Sequence, residues 1–258
     1  MKKLTVVKIG GNIIDSPVEL DAFLRDFARL EGPKALVHGG GVLASGMLRE
    51  LGVEPRMIAG RRVTDEQTLR VVAMVYAGWI NKTIVAGLQC HGCDAIGLSG
   101  ADGNAILASK RPSAPIDYGW VGDLTAESVN TTLLTKILSG GLVPVFCAVT
   151  HDGHGRLLNT NADTVAASVA AALSRDWEVR LVYCFEKRGV LADPEDDASV
   201  LPSLNLAAYE EMKAAGTVKA GMIAKLDNAF AARRTGVGYV VVKHASDLLN
   251  GGTGTALI

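Results

Sequence analysis

The chain has 258 residues, 48% of them hydrophobic, which is enough for one large α/β domain or two lobes with a substantial core. Its formal net charge of −1 provides no general field for nucleic acid or anionic membranes, so a small-molecule partner is expected. The first apolar run is short and interrupted by Lys8, and no stretch offers about 18 uncharged apolar residues, so we expect a cytoplasmic protein without a signal peptide or membrane span.

Apolar strands alternate with amphipathic helical stretches along the whole chain. The strands are predicted at residues 4–9, 35–38, 95–98, 143–147, 180–184 and 239–243, and the helices at 17–30, 42–51, 65–91, 126–138, 162–174, 206–215 and 221–235. This order predicts right-handed βαβ crossovers and a mainly parallel sheet, with no repeat or linker dividing the chain. The acidic stretch at 193–197, which includes Pro194, is predicted to be a solvated loop.

Two glycine-rich turns follow predicted strands, and both suit the binding of an anion. Lys8 ends the first strand and precedes Gly10 and Gly11, where backbone N–H groups can approach a phosphate closely. The run HGGG at 38–41 ends the second strand and opens a helix, where unsatisfied N–H groups and the helix dipole attract anions. Neither run is a dinucleotide-binding or P-loop motif. A solvated lysine and a tight turn that needs only small residues are the structural alternatives.

Further polar residues stand where they could bind an amino acid or a phosphate. Arg61 and Arg62 are adjacent, and a guanidinium can hold a carboxylate through two parallel hydrogen bonds, although a solvated pair is the ordinary alternative. The run NTNAD at 159–163 opens an alanine-rich helix, and capping explains one of its polar side chains but hardly all three. Lys225 lies in the last predicted helix, and together with Lys8 it points to phosphoryl transfer.

The four cysteines fit a reducing compartment. Cys90 and Cys93 have the C-x-x-C spacing of redox motifs and of half a zinc site, but Cys147 and Cys184 are isolated in apolar strands and supply no second pair. The favoured interpretation is a helix that ends near His91, a glycine turn and incidental thiols.

Taken in order, these motifs resemble those of the amino acid kinase family, and within it the kinases of acylated amino acids. The segments that carry the resemblance are KIGG at 8–11, HGGG at 38–41, RVT at 62–64, NK at 81–82, GLSGADG at 97–103, GGLVP at 140–144, NTNAD at 159–163, GMIAK at 221–225 and GTGT at 252–255. They cover nearly the whole chain. RVT together with NTNAD separates the acyl-amino-acid kinases from the carbamate, uridylate and aspartate branches.

The resemblance implies an α/β fold, a three-layer αβα sandwich around a mainly parallel central sheet, in a single amino acid kinase domain. Residues 1–150 would bind the amino acid and residues 151–258 the nucleotide. The γ-carboxylate of an N-acylated glutamate, N-acetylglutamate in the first instance, would attack the γ-phosphate of ATP bound with Mg²⁺, giving an acyl phosphate and ADP in arginine biosynthesis. The nucleotide phosphates and water would supply most of the ligands of Mg²⁺, and no residue of the protein is expected to be a ligand.

The same resemblance implies a role for each candidate residue. Lys8 and Lys225 would contact the phosphoryl group, and Asp163 would hold the two lysines in place. The other residues fall into two groups: Gly40, Gly41, Arg62 and Asn159 would bind the amino-acid substrate, and Gly10, Gly11, Glu186, Gly189, Val190 and Leu191 would bind the nucleotide or its phosphates. Within the first group, Arg62 would clamp the α-carboxylate and Asn159 would lie near the acylated nitrogen.

Two features depart from the family's pattern. Glu186 stands where the nucleotide loop usually carries Asp, so the contacts that residues 186–191 make with the nucleotide are left open. The first predicted strand begins at Leu4, without the extra N-terminal helix of arginine-inhibited hexamers, so we expect a homodimer that arginine does not inhibit.

Three alternatives stay open. Another acylated amino acid, N-succinylglutamate or an acylated aminoadipate, would keep every motif, and a succinyl group would need one additional cation in the site. A non-catalytic sensor of amino acids or nucleotides with the same fold is disfavoured because both lysines and Asp163 occur together. A zinc or redox protein built on Cys90 and Cys93 is the third.

Overall fold

The computed structural model describes residues 1–58, 60–193, 195–218 and 220–258. Within them the strands are Lys2–Ile9 (β1), Lys34–His38 (β2), Met57–Ile58 (β3), Arg61–Arg62 (β4), Ala95–Leu98 (β5), Ser109–Lys110 (β6), Gly122–Asp123 (β7), Val143–Cys147 (β8), Val149–His151 (β9), Leu157–Asn159 (β10), Trp177–Phe185 (β11), Ser203–Leu204 (β12), Tyr239–His244 (β13) and Thr255–Leu257 (β14). The helices are Gly11–Asp15 (α1), Pro17–Ala28 (α2), Gly41–Glu50 (α3), Glu66–Ala73 (α4), Asn81–Cys90 (α5), Thr131–Ser139 (α6), Ala162–Leu173 (α7), Leu206–Ala214 (α8) and Ala220–Arg234 (α9). A π-helical run, Met74–Ile80, joins α4 to α5.

Eight of the described strands form one sheet in the order β12-β14-β13-β11-β1-β2-β8-β5. Its neighbouring strands are parallel, except that β13 and β14 are antiparallel. All residues of β2 and β8 are buried, as expected for parallel strands with helices on both faces. The predicted, mainly parallel sheet is therefore confirmed.

Each face of the sheet is covered by helices and has its own hydrophobic cluster. Helices α6, α7 and α9 pack on one face, and α2, α3 and the long helix from α4 to α5 pack on the other. The central strand β1 contributes to both clusters, with Leu4 and Val6 on the first face and Val7 and Ile9 on the second, because side chains alternate along a strand. The molecule is the predicted three-layer αβα sandwich.

The helix predicted at 126–138 is wrong at its N-terminal end. Ala126–Ser128 form a separate 3₁₀ turn, Val129 is extended, and α6 begins only at Thr131. The Asn130 side chain accepts a hydrogen bond from the N–H of Leu133 at 3.1 Å and so caps the helix. The capping residue, rather than the apolar pattern, sets the start of this helix.

The helix from Glu66 to Cys90 is relevant to the prediction that no segment spans a membrane. Its 25 residues are long and apolar enough to cross one by length and composition, a test that long core helices also pass. Here Val72, Ile84 and Leu88 are buried in the cluster on the second face of the sheet. These positions pack against the sheet, as those of a core helix do.

The acidic stretch at 193–197 is an exposed loop in its described residues, as predicted. Asp197 pairs with Lys187 at 2.7 Å. Pro194, which the prediction included, lies outside the described residues.

Candidate active site

Lys8 and Asp163 form a buried ion pair near the carboxyl end of β1. Lys8 shares a face of that strand with Leu4 and Val6, and this face is covered by α7, which carries Asp163. The Lys8 Nζ lies 2.8 Å from Oδ1 of Asp163, and each residue is only 6% exposed. An uncompensated charge at this depth would be costly, so each group depends on the other.

The start of α7 holds Asp163 in this position. Asn161 is the N-cap, and its Oδ1 accepts hydrogen bonds from the N–H groups of Asp163 at 2.8 Å and Thr164 at 3.1 Å. The Tyr183 hydroxyl donates to the backbone oxygen of Asp163 at 3.2 Å. The carboxylate thus lies in the first turn of a 12-residue helix, where the helix dipole favours negative charge.

Lys225 lies on α9, where the charges of the ion pair act on it. Burial lowers the pKa of the Lys225 ammonium, Asp163 raises it, Lys8 lowers it and Glu186 raises it, with a net downward direction. A bound anion would oppose this shift, because it would favour the charged form of Lys225.

The glycine loop at 39–41 approaches the long helix too closely for any side chain. Gly40 has a φ of +148°, and a Cβ there would overlap Ile80 and lie 3.1 Å from the ring of Tyr76. Both neighbours belong to the π-helical run, a feature found often at functional sites. Gly41 is the first residue of α3, so the N–H groups at this loop face no acceptor within the helix and suit an anion.

Arg62 is tied to this loop by one edge of its guanidinium. Its Nη2 donates to the backbone oxygen of Gly41 at 2.9 Å and to Oγ of Ser45 at 2.7 Å. Its Nη1 is buried and has no hydrogen-bond partner among the described residues. A buried donor without an acceptor is costly, and a carboxylate in the adjacent cavity would satisfy it.

Asn159 reaches the same cavity from β10. Its Nδ2 donates to Oγ1 of Thr64 at 3.0 Å, and the Thr64 hydroxyl donates to the backbone oxygen of Arg62 at 3.0 Å. The cavity has a volume of about 210 Å³. The predicted residues that line it are Lys8, Gly11, Gly40, Gly41, Arg62, Asn159 and Asp163.

A smaller pocket of about 90 Å³ is lined by three further predicted residues, Gly189, Val190 and Leu191, together with Lys187, Thr217, Val218 and Met222. Thr255 on β14 fixes this loop. Its Oγ1 accepts a hydrogen bond from the N–H of Val190 at 2.8 Å and donates to the backbone oxygen of Leu201 at 2.6 Å. A Cβ at Gly189 would lie 2.7 Å from the same oxygen, so glycine is required there.

Three predicted residues, Gly10, Glu186 and Lys225, line neither of these two cavities. The Gly10 N–H donates to the backbone oxygen of Cys184 at 3.0 Å, so it extends the sheet instead of facing an anion. Glu186 lines a third cavity of about 370 Å³ with Arg188 and His244. Its carboxylate still acts on the site, because it raises the pKa of Lys225.

Sequence reasoning missed three residues of the site. Tyr76 and Ser45 lie in ordinary helical patterns that give no signal of a role. Thr255 belongs to the glycine-rich segment at 252–255, which marks a turn but does not reveal that its hydroxyl holds a loop some 65 residues earlier in the chain.

The C-x-x-C segment is a helix end, as interpreted. Helix α5 ends at Cys90, His91 follows as its C-cap, and Gly92 turns the chain with a φ of +70°. Cys90 is exposed and Cys93 is buried. Among the described residues, no group of three or more His, Cys, Asp and Glu side chains is placed to hold a metal ion.

Comparison with known proteins identifies relatives along the whole chain. The sequence model of the amino acid kinase family matches residues 3–244. A protein named acetylglutamate kinase from Bacteroides fragilis is 51% identical over 253 residues, covering 98% of this chain and 96% of its own. Proteins of the same name from Cytophaga hutchinsonii and Methanopyrus kandleri are 52% identical over 250 residues and 38% identical over 252 residues, covering 96% of this chain in both cases and 94% and 98% of their own.

Solved structures share the fold. The protein smu.665 from Streptococcus mutans UA159 has a TM-score of 0.82 at 27% identity, covering 100% of this chain and 99% of its own. An N-acetylglutamate synthase from Neisseria gonorrhoeae, complexed with coenzyme A and N-acetyl-glutamate, has a TM-score of 0.82 at 22% identity, covering 99% of this chain and 59% of its own. At this identity the second likeness concerns the fold alone.

Proposed function

Because the chain belongs to the amino acid kinase family, we propose that it transfers the γ-phosphoryl group of ATP to the γ-carboxylate of N-acetylglutamate, in arginine biosynthesis. The observation that carries this proposal is the buried pair of Lys8 and Asp163, 2.8 Å apart, in the wall of a cavity that also contains the glycine loop and Arg62. Relatives named acetylglutamate kinase, about half identical over nearly the whole chain, support it.

The reaction forms one P–O bond and breaks another. A carboxylate oxygen of the substrate attacks the γ-phosphorus, the bond to the β–γ bridging oxygen breaks, and ADP leaves with the electron pair. A glutamate side chain with a pKa of about 4.3 is already ionised at neutral pH. No proton has to be removed from the nucleophile, so the site requires no general base.

The difficulty of this reaction is to bring one anion to another. Two unit charges about 4 Å apart repel by roughly 4 kcal/mol at an effective dielectric constant near 20. Lys8 and Lys225 place two positive charges where the transferred oxygens would lie, and these offset much of the repulsion. Asp163 pairs with Lys8 and acts electrostatically on Lys225, so it positions both.

The remaining residues bind the two substrates in this proposal. In the first half of the chain, residues 1–150, Arg62 uses its unpartnered Nη1 for the α-carboxylate, and Gly40 and Gly41 offer N–H groups. Asn159 from the second half, residues 151–258, lies near the acylated nitrogen. The pocket beside residues 189–191 receives the nucleotide, whose phosphates extend toward Gly11 and the two lysines.

Mg²⁺ would accompany ATP, and its charge would neutralise part of the phosphate charge. The cavity fits such a complex, because Lys8 and the glycine loop in its wall complement phosphate oxygens. Since the described residues include no carboxylate cluster suited to a metal, the phosphates and water would supply most of the ligands.

We also propose a cytoplasmic homodimer. Met74 and Trp79 are 51% and 70% exposed on the long helix, and such apolar side chains suit the interface with a second copy. Sedimentation equilibrium measures the mass in solution. A monomer of about the 27.0 kDa chain mass would contradict the dimer.

Trapping of the product tests the proposed reaction. ADP release is measured with MgATP and N-acetylglutamate, N-succinylglutamate or free glutamate, with hydroxylamine present to convert any acyl phosphate to a hydroxamate. We expect hydroxamate and ADP in equal amounts with N-acetylglutamate and neither with free glutamate. Binding of ATP without product from any of the three would reject the kinase function in favour of a sensor.

N-succinylglutamate is a second candidate substrate, favoured by Arg61. This residue lines the substrate cavity, and its guanidinium makes no hydrogen bond or ion pair with any residue that the structure describes. Burial and the neighbouring Arg111 lower the pKa of Arg61, whereas Asp123 raises it. A third substrate carboxylate at this position would compensate the charge of Arg61, as a succinyl group requires.

Kinetics with Arg61→Leu separate the two candidates. If the succinyl compound is the substrate, its KM in the wild type is below that of N-acetylglutamate, and the substitution raises it by about tenfold, the value of one charge-assisted hydrogen bond. The KM of N-acetylglutamate should not change. A wild-type preference for N-acetylglutamate would reject the succinyl candidate.

A further inference from the structure

Two buried polar side chains and an exposed lysine are hydrogen-bonded next to the glycine loop, and the proposed function assigns them no role. His38, the last residue of β2, is fully buried, and Asn81, the first residue of α5, is 1% exposed. Lys82 follows Asn81 and reaches the backbone of β5. We call these three side chains, His38, Asn81 and Lys82, the His38 network.

Lys82 fixes the orientation of the Asn81 amide. The ammonium group of lysine can only donate hydrogen bonds. Its Nζ lies 3.1 Å from Oδ1 of Asn81 and 3.2 Å from the backbone oxygen of Gly97. The amide oxygen therefore faces Lys82, and the NH₂ group faces the opposite way, where it meets the backbone oxygen of Val145 at 2.9 Å and Nε2 of His38 at 3.0 Å.

The amide in turn fixes the tautomer of His38. Because Nδ2 of Asn81 donates, Nε2 of His38 must accept and carries no hydrogen. The ring proton is on Nδ1, which donates to the backbone oxygen of Gly39 at 2.8 Å. Burial, opposed by this hydrogen bond and assisted by the charge of Lys82, lowers the pKa of His38 to about 4, so the ring is neutral at pH 7.

The hydrogen bond to Gly39 determines where the next N–H points. A trans peptide unit is planar, and its C=O and N–H groups point in opposite directions. Since the oxygen of Gly39 is directed at the His38 ring, the N–H of Gly40 points away from it. Gly40 lines the substrate cavity, and Ile80 and Tyr76 pack against its other side.

We propose that His38 is a positioning residue that orients the peptide between Gly39 and Gly40, so that the Gly40 N–H points into the cavity toward the bound anion. Asn81 and Lys82 act through His38, because they hold the tautomer that donates to Gly39. The identity of that anion rests on the proposed function, whereas the orientation of the peptide does not.

The protonation of His38 tests this proposal without any activity. In wild-type protein labelled with ¹⁵N-histidine at pH 7.5, long-range ¹H–¹⁵N correlation spectra show which ring nitrogen of each histidine carries the hydrogen. We expect His38 in the Nδ1–H form, with its signal assigned by its loss in His38→Asn. A neutral His38 with its hydrogen on Nε2, or a charged ring, would overturn the proposal.

Kinetics of two His38 variants test the effect on the reaction. His38→Leu removes the donor, whereas His38→Asn keeps an N–H donor near the position of Nδ1. We expect the leucine variant to lower kcat by about tenfold with the KM of ATP changed less than about twofold, and the asparagine variant to recover most of kcat.

The matched control is His91→Leu. The Nε2 atom of His91 lies 2.9 Å from Oδ1 of Asp21, and neither residue lines the cavity. Its kcat should equal that of the wild type. A folded His38→Leu variant with wild-type kcat would overturn the positioning role. If the wild type converts no acylated amino acid, the proposed function fails, and the His38 tautomer alone then decides for or against the positioning role.

Discussion

Lys8 and Lys225 stand at opposite ends of the chain, and the fold brings both under the influence of one carboxylate. Because both charges face the transferred phosphoryl group in the proposed reaction, we expect Lys8→Ala or Lys225→Ala to lower kcat by on the order of 10²-fold, as loss of an oxyanion donor does. Steady-state kinetics provide the measurement. Lys3→Ala, at an exposed position of the same strand as Lys8, is the control and should keep full activity. Unchanged turnover in both alanine variants would remove the lysines from the mechanism.

Substitution of Asp163 tests whether this carboxylate positions the lysines or only stabilises the fold. Asp163→Asn keeps the size of the side chain, and the Asn161 cap and the Tyr183 contact both involve backbone atoms of residue 163, so the variant should fold. It removes the charge that compensates Lys8, and we expect kcat to fall by on the order of 10²-fold with an unchanged circular dichroism spectrum. Asp227→Asn, which breaks the surface pair with Lys213, is the matched control. Full activity of Asp163→Asn would contradict the assigned role.

At the level of single residues, the sequence was informative where chemistry is local. Lys8 beside its glycines and Asp163 behind a capping Asn161 could be predicted, because residue type and neighbours carry the signal. Contacts that join distant segments could not: Asn81 meets His38 across 43 positions, and no pattern in either segment specifies the other. Gly10 shows the same limit, since only the pairing of β1 with β11 reveals that its N–H is used by the sheet.

Helix α3 offers a controlled test of the glycine loop. Gly40 has a positive φ and no room for a Cβ, whereas Gly46 in the same segment has open space around it. We expect Gly40→Ala to lower kcat by at least about tenfold and the free energy of unfolding by about 1–3 kcal/mol, because the loop must move away from Ile80 and Tyr76. Gly46→Ala should keep activity and raise the free energy of unfolding by up to about 1 kcal/mol. Urea unfolding measures the change in the free energy of unfolding, and steady-state kinetics measure the change in kcat. Similar results for the two variants would refute the steric argument.

The elements themselves were largely predictable, since each buried strand and amphipathic helix has a periodic pattern. The six predicted strands occur in the central sheet, and the start of α6 was the main error, because Asn130 stops the helical pattern by capping. The π-helical geometry of Met74–Ile80 was beyond prediction. An apolar pattern shows that a helix is present, but it does not show that the helix has π geometry. Tyr76 and Ile80 of this run lie against Gly40, which is distant in sequence.

The whole molecule should lose stability in mild acid because of His38. Its pKa is about 4 in the folded state and about 6.5 in an unfolded chain, so below pH 6.5 the unfolded state binds a proton that the folded state does not. The stabilising contribution is complete above pH 6.5 and is lost as the pH falls toward 4, by about 3 kcal/mol in all. Chemical unfolding at pH 7, 5.5 and 4.5 should show a steeper decline for the wild type than for His38→Asn. Parallel declines would mean that His38 does not titrate in this way.

The central position of β1 has a consequence for the order in which the protein is made. This first strand pairs with β2 on one side, but its other neighbour, β11, begins at Trp177. At 5–20 residues per second, roughly 10 to 35 seconds of translation separate the two strands. During that time one edge of an apolar strand stays unpaired, which is a template for association with other chains. Proteolysis of stalled nascent chains should find β1 protected only once residue 185 has left the ribosome. The newly made N-terminal half thus keeps this edge open until β11 arrives to cover it.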